Sequence, residues 1–304
     1  MSFKSFMEKF KEIEAEDFKV LLAIESGMKN YEYVPFEKIV EYSKLPIDKV
    51  EYRVNRVSRL RLVRSITSPY RGYCLNYIGY DFLALRFFVN SGFLEAVGGP
   101  LGVGKEADVY EALTPEGDVA ALKFHRLGRI SFRQTAKVRS YGKPKTFWLF
   151  RSKIAAEKEY EALKKLYSYG VSVPKPISQN RHAVLMGKIE GIRLIEFKHL
   201  KDPENVFLKI LENVKLAYRK AGVIHADLSE YNVLLDEEER NIQIIDWPQY
   251  VTINHPNAQQ ILERDLKNIS KFFKRKFNLE ISFKDVLDFV VLGKPVKKVQ
   301  IFLQ

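Results

Sequence analysis

His225-Ala226-Asp227-Leu228-Ser229-Glu230-Tyr231-Asn232 decides the reading of this 304-residue chain. The segment follows the apolar pair Val223-Ile224 and precedes Val233-Leu234-Leu235, so it reads as a loop held between two short strands. An acidic turn from Asp236 to Glu239 then leads to Ile242-Gln243-Ile244-Ile245, a strand that delivers Asp246-Trp247-Pro248. Two carboxylates displayed at neighbouring strand ends repel each other, and a divalent cation removes that cost. Taken singly, Asp227 could be a surface turn residue, His225 a satisfied core histidine and Asn232 a structural amide. Their order and spacing carry the chemistry.

The interval from Asp227 to Asn232 matches the H-R-D-L-x-x-x-N loop of protein kinases, in which Asp accepts or orients the nucleophile's proton and Asn ligates magnesium. Asp246 stands where kinases keep their D-F-G metal ligand. Upstream, Gly102-Val103-Gly104-Lys105-Glu106-Ala107-Asp108-Val109 nearly reads G-x-G-x-x-G-x-V, with Ala107 at the third glycine position. Glycines there let backbone N–H groups approach a phosphate. The run leads into a strand, not a helix, which favours a phosphate flap over a dinucleotide fingerprint, and the Walker spacing is absent. Two strands follow, Val109 to Leu113 and Val119 to Phe124, about a turn at 115–118. The second carries Lys123 in Ala120-Ala121-Leu122-Lys123, as V-A-I-K does. A helix from a cap at Ser152 to Gly170 places Ala156, Glu159, Leu163 and Leu166 on one stripe, so Glu159 is the expected partner of Lys123 and Glu157 the second choice.

Residues 1–92 read as short helices followed by a hairpin. Phe18, Leu21, Leu22 and Glu25 suit an amphipathic helix, Pro35 opens another, and Pro46 precedes a third with Val50, Val54, Val57 and Leu60 on one face. Strands at 62–66 and 72–77 flank a turn at Ser68-Pro69-Tyr70. That order is the order of a winged helix-turn-helix, in which Arg53, Arg56, Arg59 and Arg71 are candidate nucleic-acid contacts; such a domain can equally bind protein. A helix from Asp81 to Asn90 ends at Ser91-Gly92, and Gly98-Gly99-Pro100 marks a domain boundary.

Charge is unevenly spread. The chain carries a net charge of +12, yet residues 1–95 hold 15 Lys/Arg against 13 Asp/Glu, while 124–156 hold nine basic residues, Arg133, Lys137 and Arg139 among them, and no carboxylate. A solvated face would interleave both signs, so the unrelieved run points to a polyanion. The charged first twenty residues exclude an apolar leader core, and no stretch approaches the roughly 18 apolar residues of a membrane span. The single cysteine, Cys74, rules out an internal disulfide. A soluble protein of the cytoplasm, with no membrane and no obligate partner chain, is the expectation.

Together the Gly-x-Gly-Lys-Glu loop, the His-x-Asp-Leu-Ser-x-Tyr-Asn loop, the Ile-Asp-x-Pro-Gln run at Ile245 to Gln249 and the N-terminal helices resemble the RIO kinases, and within them the RIO2 family. Ala107 and Ala226 depart from that family's usual Ser and Gly, and Trp247 stands for its Phe. Only 58 residues follow Asp246, without an Ala-Pro-Glu, and they read as helices Ala258 to Phe277 and Ser282 to Leu292. The expected fold is therefore α+β: a winged helix (1–92), then a trimmed bilobal kinase-like domain (93–304) lacking the activation segment and the peptide-binding helices. Its N-lobe would span about 93–186 with a flexible basic loop at 126–150, and its C-lobe about 190–304. The resemblance implies ATP with Mg2+ or Mn2+ as cofactors, adenine held by the hinge at Met186, Gly187 and Ile189, and phosphates cradled by Gly102 to Ala107 and Val109. It implies Asp227 and Lys123 as catalytic groups, metal at Asn232 and Asp246, an aspartyl-phosphate at Asp246, and self-modification at Ser131. It further implies maturation of the small ribosomal subunit, with the precursor particle and its rRNA as partners. A nucleic-acid binder with a catalytically idle ATP switch, and a small-molecule phosphotransferase, are the alternatives.

Overall fold

The computed structural model describes residues 3–127, 146–295 and 300–301. It falls into two compact units, one formed by residues 1–157 with 178–185 and the other by 158–177 with 186–304. In this division the N-terminal helices and the glycine-rich sheet share one unit. Basic residues Arg133, Lys137 and Arg139, and Ser131, lie outside the described residues.

The first unit begins with helices α1 (Phe3–Glu12) and α2 (Ala15–Gly27), strand β1 (Val34–Pro35), helices α3 (Phe36–Ser43) and α4 (Ile47–Arg59), and strands β2 (Val63–Ile66) and β3 (Gly72–Leu75). Three helices and a hairpin occur as expected, with α1 and β1 added; β1 pairs with β3, and the sheet order is β1-β3-β2. A two-residue strand ending in proline has no sequence signal to announce it. Val50, Val54 and Val57 are fully buried against Leu21, Ile24 and Ile39, the apolar stripe that holds α4 to its neighbours. Leu22, expected on the buried face of α2, is instead 44% exposed.

Helix α5 (Tyr77–Asn90) starts four residues earlier than expected, because the Asn76 side chain caps it by accepting from the Gly79 amide. Strands β4 (Ala96–Val103), β5 (Ala107–Leu113) and β6 (Val119–His125) follow. Gly98-Gly99-Pro100 is thus no linker: it lies inside β4, where the register against β5 shifts on both sides of Pro100. Helix α6 (Thr146–Ser168) also begins earlier than expected. Ser152 does not cap it but sits buried within it, its hydroxyl hydrogen-bonded to the Tyr77 hydroxyl and accepting from the Leu127 amide. Residues 146–150 are therefore helical and not part of the expected basic loop, whereas Arg126, the first residue beyond β6, is buried among carboxylates. Strands β7 (Pro176–Asn180) and β8 (Ala183–Gly187) complete a five-stranded sheet of order β4-β5-β6-β8-β7.

In the second unit come β9 (Ile192–Arg193), α7 (Pro203–Arg219), β10 (Val223–Ile224), β11 (Val233–Leu235), β12 (Ile242–Ile244), β13 (Val251–Thr252), α8 (Ala258–Phe277), β14 (Leu279–Glu280), α9 (Phe283–Leu292) and β15 (Gln300–Ile301). Asp202 caps α7 by accepting from the Asn205 amide, and Ser282 caps α9 through the Asp285 amide, as expected of those residues ahead of apolar runs. Phe207, Ile210, Leu266, Ile269, Phe273 and Val290 form the core that these helices share. It supports two small antiparallel sheets, β12-β11-β9 and β10-β13, from whose ends the motif residues project.

Candidate active site

Asp227, Asn232 and Asp246 are held by one network in the second unit. The strands on either side are buried, with Val223, Ile224, Val233 and Ile244 almost fully covered, so the loop between them is anchored at both ends. His225 is the organiser. It is 4% exposed; its Nδ1 accepts from the Asp227 amide at 3.2 Å and its Nε2 donates to the Ile245 carbonyl at 2.9 Å, tying the 225–232 loop to the residue before Asp246. Burial pushes the imidazole below its ordinary range, although Asp246, Asp227 and Glu159 all lie close enough for their charges to oppose that shift. His225 is accordingly neutral, with Nε2–H as the donor, and its structural part is the plain reading the sequence allowed.

Asn232 closes the loop. Its Nδ2 donates to the Asp227 carbonyl at 2.9 Å, its amide to the Ser229 carbonyl at 3.0 Å, and its own carbonyl accepts from the Ile245 amide at 2.9 Å. With the nitrogen committed, Oδ1 is the ligand-type atom. Asp246 adopts a left-handed backbone, φ 69°, and so does Ala226, φ 67°. At both positions an L-residue is strained by roughly 1 kcal/mol or more relative to glycine. The following Trp247 is buried, and its indole N–H donates to the Ile244 carbonyl at 2.9 Å, which fixes the turn that presents Asp246.

Asp265 on α8 was not anticipated. It accepts from the Ala226 amide at 2.8 Å, holding the strained residue next to Asp227, while Arg264 donates to the Ala226 carbonyl. Burial pushes the Asp265 carboxyl up to about 6 against the pull of Arg264 and of the backbone donors. No sequence signal marks it, because a helix carboxylate 39 residues downstream is tied to this loop only by the fold.

Glu159 lies on the buried stripe of α6, 1% exposed, whereas Glu157 is at the surface and pairs with Lys153 at 3.6 Å. Of the two glutamates, the buried one has the environment an ion-pair role demands. Lys123, in the first unit, stands on β6 opposite Val109 and is 8% exposed, so its ammonium needs anionic company. The glycine-rich segment of that unit is the β4–β5 hairpin. Gly104 donates to the Ala107 carbonyl at 2.8 Å, and Val103, Lys105 and Glu106 are exposed at its tip. A Cβ placed on Gly102 would meet nothing of the protein within 4 Å, so neither packing nor a positive φ explains that glycine; room beside the backbone does. Met186 is buried on β8, Ile189 is half-buried, and the Gly187 amide donates to the Lys175 carbonyl at 2.8 Å, which leaves the carbonyl as the part of Gly187 able to meet a ligand.

The donor set suits a hard divalent cation. Among the described residues no group of three or more His, Cys, Asp or Glu could hold a metal unaided. One or two carboxylates, an amide oxygen and the phosphates of a substrate are the usual company of magnesium.

The four candidate arginines of the N-terminal region, three on α4 and Arg71 in the β2–β3 hairpin, are a different matter. Arg53 pairs with Glu14 and Glu16, each at 2.7 Å, and Arg56 with Asp17 at 3.0 Å. Arg71 pairs with Glu51 at 2.6 Å. Three of the four are thus engaged with carboxylates of their own domain, and Arg59 is exposed. Spacing along a helix shows which face an arginine occupies, not which acid from another helix meets it. Among the described helices none is long and apolar enough to cross a membrane.

Comparison with known proteins gives the family. The family model described as "RIO domain" matches residues 108–286, and that described as "Rio2, N-terminal" matches residues 10–91. The RIO-type serine/threonine-protein kinase Rio2 of Methanocaldococcus jannaschii is 44% identical over 255 residues, covering 82% of this chain and 92% of that protein. The serine/threonine-protein kinase RIO2 of Caenorhabditis elegans is 40% identical over 272 residues; the chain spans 51% of its length. Among solved structures, the Rio2 kinase-ADP/Mg2+-phosphoaspartate complex from Chaetomium thermophilum superposes with a TM-score of 0.82 at 31% identity, covering 94% of this chain and 92% of that one.

Proposed function

Because this chain belongs to the Rio2 family of RIO-type serine/threonine-protein kinases, we propose that it uses MgATP to drive a phosphoryl-transfer cycle on the precursor of the small ribosomal subunit. Asp227 orients the nucleophile, Asn232 Oδ1 and Asp246 would hold the cation, and Lys123 with Glu159 would position the phosphates. The cation, when bound, neutralises charge on the phosphate oxygens. His225 keeps Asp227 and Asp246 in register without itself exchanging a proton, since burial holds it neutral. The Gly102 backbone leaves room for the phosphate chain.

The observation that carries this reading is the hydrogen-bonded circuit Asp227–His225–Ile245–Asn232, which fixes both carboxylates and the amide at adjoining strand ends. The phosphoaspartate in the Chaetomium thermophilum relative supports Asp246 as a covalent acceptor. In that step an Asp246 oxygen bonds the γ-phosphorus as the bridge to ADP breaks, and water later cleaves the acyl phosphate. The basic run, apart from the buried Arg126, supports a polyanionic partner, and cytoplasmic location follows from that role.

A single-turnover assay with γ-labelled ATP, with and without pre-ribosomal particles, tests the whole. The expected result is an acid-labile label on Asp246 that turns over. ATP binding without any phosphate release, alone or with particles, would instead mark an idle nucleotide switch.

A further inference from the structure

Arg126 is the one member of the basic run that is fully enclosed among the described residues of the first unit, and it grips the phosphate hairpin on one side and the N-terminal domain on the other. Its amide donates to the Glu106 carbonyl at 2.6 Å, and its Nε donates to Asp108 Oδ2 at 2.8 Å, so it holds both neighbours of Ala107. The far edge of the guanidinium forms a two-pronged pair with Asp81 of α5, Nη1 to Oδ1 at 2.6 Å and Nη2 to Oδ2 at 2.9 Å. Asp81 also meets His182 Nε2 at 2.7 Å, and the His182 ring stacks on Tyr80, 4.7 Å between centroids. Asp81, Asp108, Arg126 and His182 are each at most 5% exposed. The opposite leg of the hairpin, β4, has shifted register and an exposed tip, so the hairpin is placed chiefly through its β5 leg.

We propose that Asp81 and Arg126 are positioning residues for the nucleotide: the N-terminal domain, through this ion pair, sets the phosphate hairpin, and is thereby a working part of the ATP site. The inference rests on the MgATP reading above. Two carboxylates share one guanidinium, and a planar fork satisfies both only in a narrow range of orientations. Lysine keeps the charge and loses the fork; asparagine keeps the shape of Asp81 and loses its charge.

The test uses the full chain, measuring the KM for ATP, the single-turnover rate and Tm for the wild type, Asp81→Asn, Arg126→Lys and the double variant. Expected are a roughly tenfold higher KM with a single-turnover rate within about threefold in each single variant, and a double variant no worse than the poorer single. A folded variant with lowered Tm and unchanged KM overturns the proposal, since it reduces the pair to scaffolding. If both single variants fail to fold, hydrogen exchange in the wild type decides. MgADP should slow exchange at residues 106–109 and at 80–83 together, and protection confined to 106–109 overturns it. A wild-type chain that binds no MgADP removes the proposed function itself, whereas a nucleotide-binding wild type with indifferent variants removes this inference alone.

Discussion

The side-chain nitrogen of Asn232 donates to the main-chain carbonyl of Asp227 at 2.9 Å, so the 225–232 loop is closed on itself by the residue whose oxygen we propose as a cation ligand. Replacing Asn232 therefore disturbs two things at once. Asn232→Ala should cost more in the phosphoryl-transfer rate than in nucleotide affinity. Asp227→Ala should lower the rate by about 10²- to 10⁴-fold while ATP affinity stays within a few-fold. Single-turnover rates beside equilibrium binding check both; an unchanged rate for Asp227→Ala would refute its assigned role.

Ala226 makes the opposite prediction to an ordinary alanine. At φ 67° it occupies the left-handed region, and glycine relieves that strain at a smaller cost in unfolded-chain entropy. Ala226→Gly should raise the unfolding free energy by about 0.5 kcal/mol. Denaturant unfolding reads the sign: a destabilised variant would mean that the Asp265 and Arg264 contacts already absorb the strain.

His182 couples stability to acid. Burial, aided by Arg126 and His125 and opposed by Asp81, lowers its imidazole to about 4 from an ordinary 6.5. The folded state then resists protonation that the unfolded chain accepts, so the stabilisation is complete above pH 6.5 and is lost as pH falls toward 4. Between pH 7 and 4.5 the loss should be on the order of 2 kcal/mol. His182→Gln should flatten that part of the profile; a wild type equally stable at both pH values would contradict the assignment.

Asp17 should matter more than the surface ion pairs around it. It is fully buried, meets Arg53 and Arg56, and accepts from the Glu14 amide at 2.9 Å. Asp17→Ala strands part of two guanidinium charges and should cost about 3 kcal/mol. Lys38→Ala, which breaks an exposed pair with Glu41, should cost less than about 1 kcal/mol. Comparable midpoints for the two variants in urea would show that Asp17 is dispensable.

By itself the sequence determined what depends on short-range order: the His225–Asn232 loop between apolar strands, Asp246 at the end of β12, Lys123 on its strand, and helices α8 and α9 with their bounds or caps. Periodicity and turn chemistry act over a few residues, so they can be read along the chain. Only the tertiary structure decided which charges meet. It took Arg53, Arg56 and Arg71 for internal carboxylates, enclosed Arg126 between Asp81 and Asp108, set Asp265 beneath Ala226, and buried Glu159 while leaving Glu157 at the surface beside Lys153. The reason is physical: an ion pair or a buried hydrogen bond depends on distance in space and on exclusion of water, and neither is a property of separation along the chain.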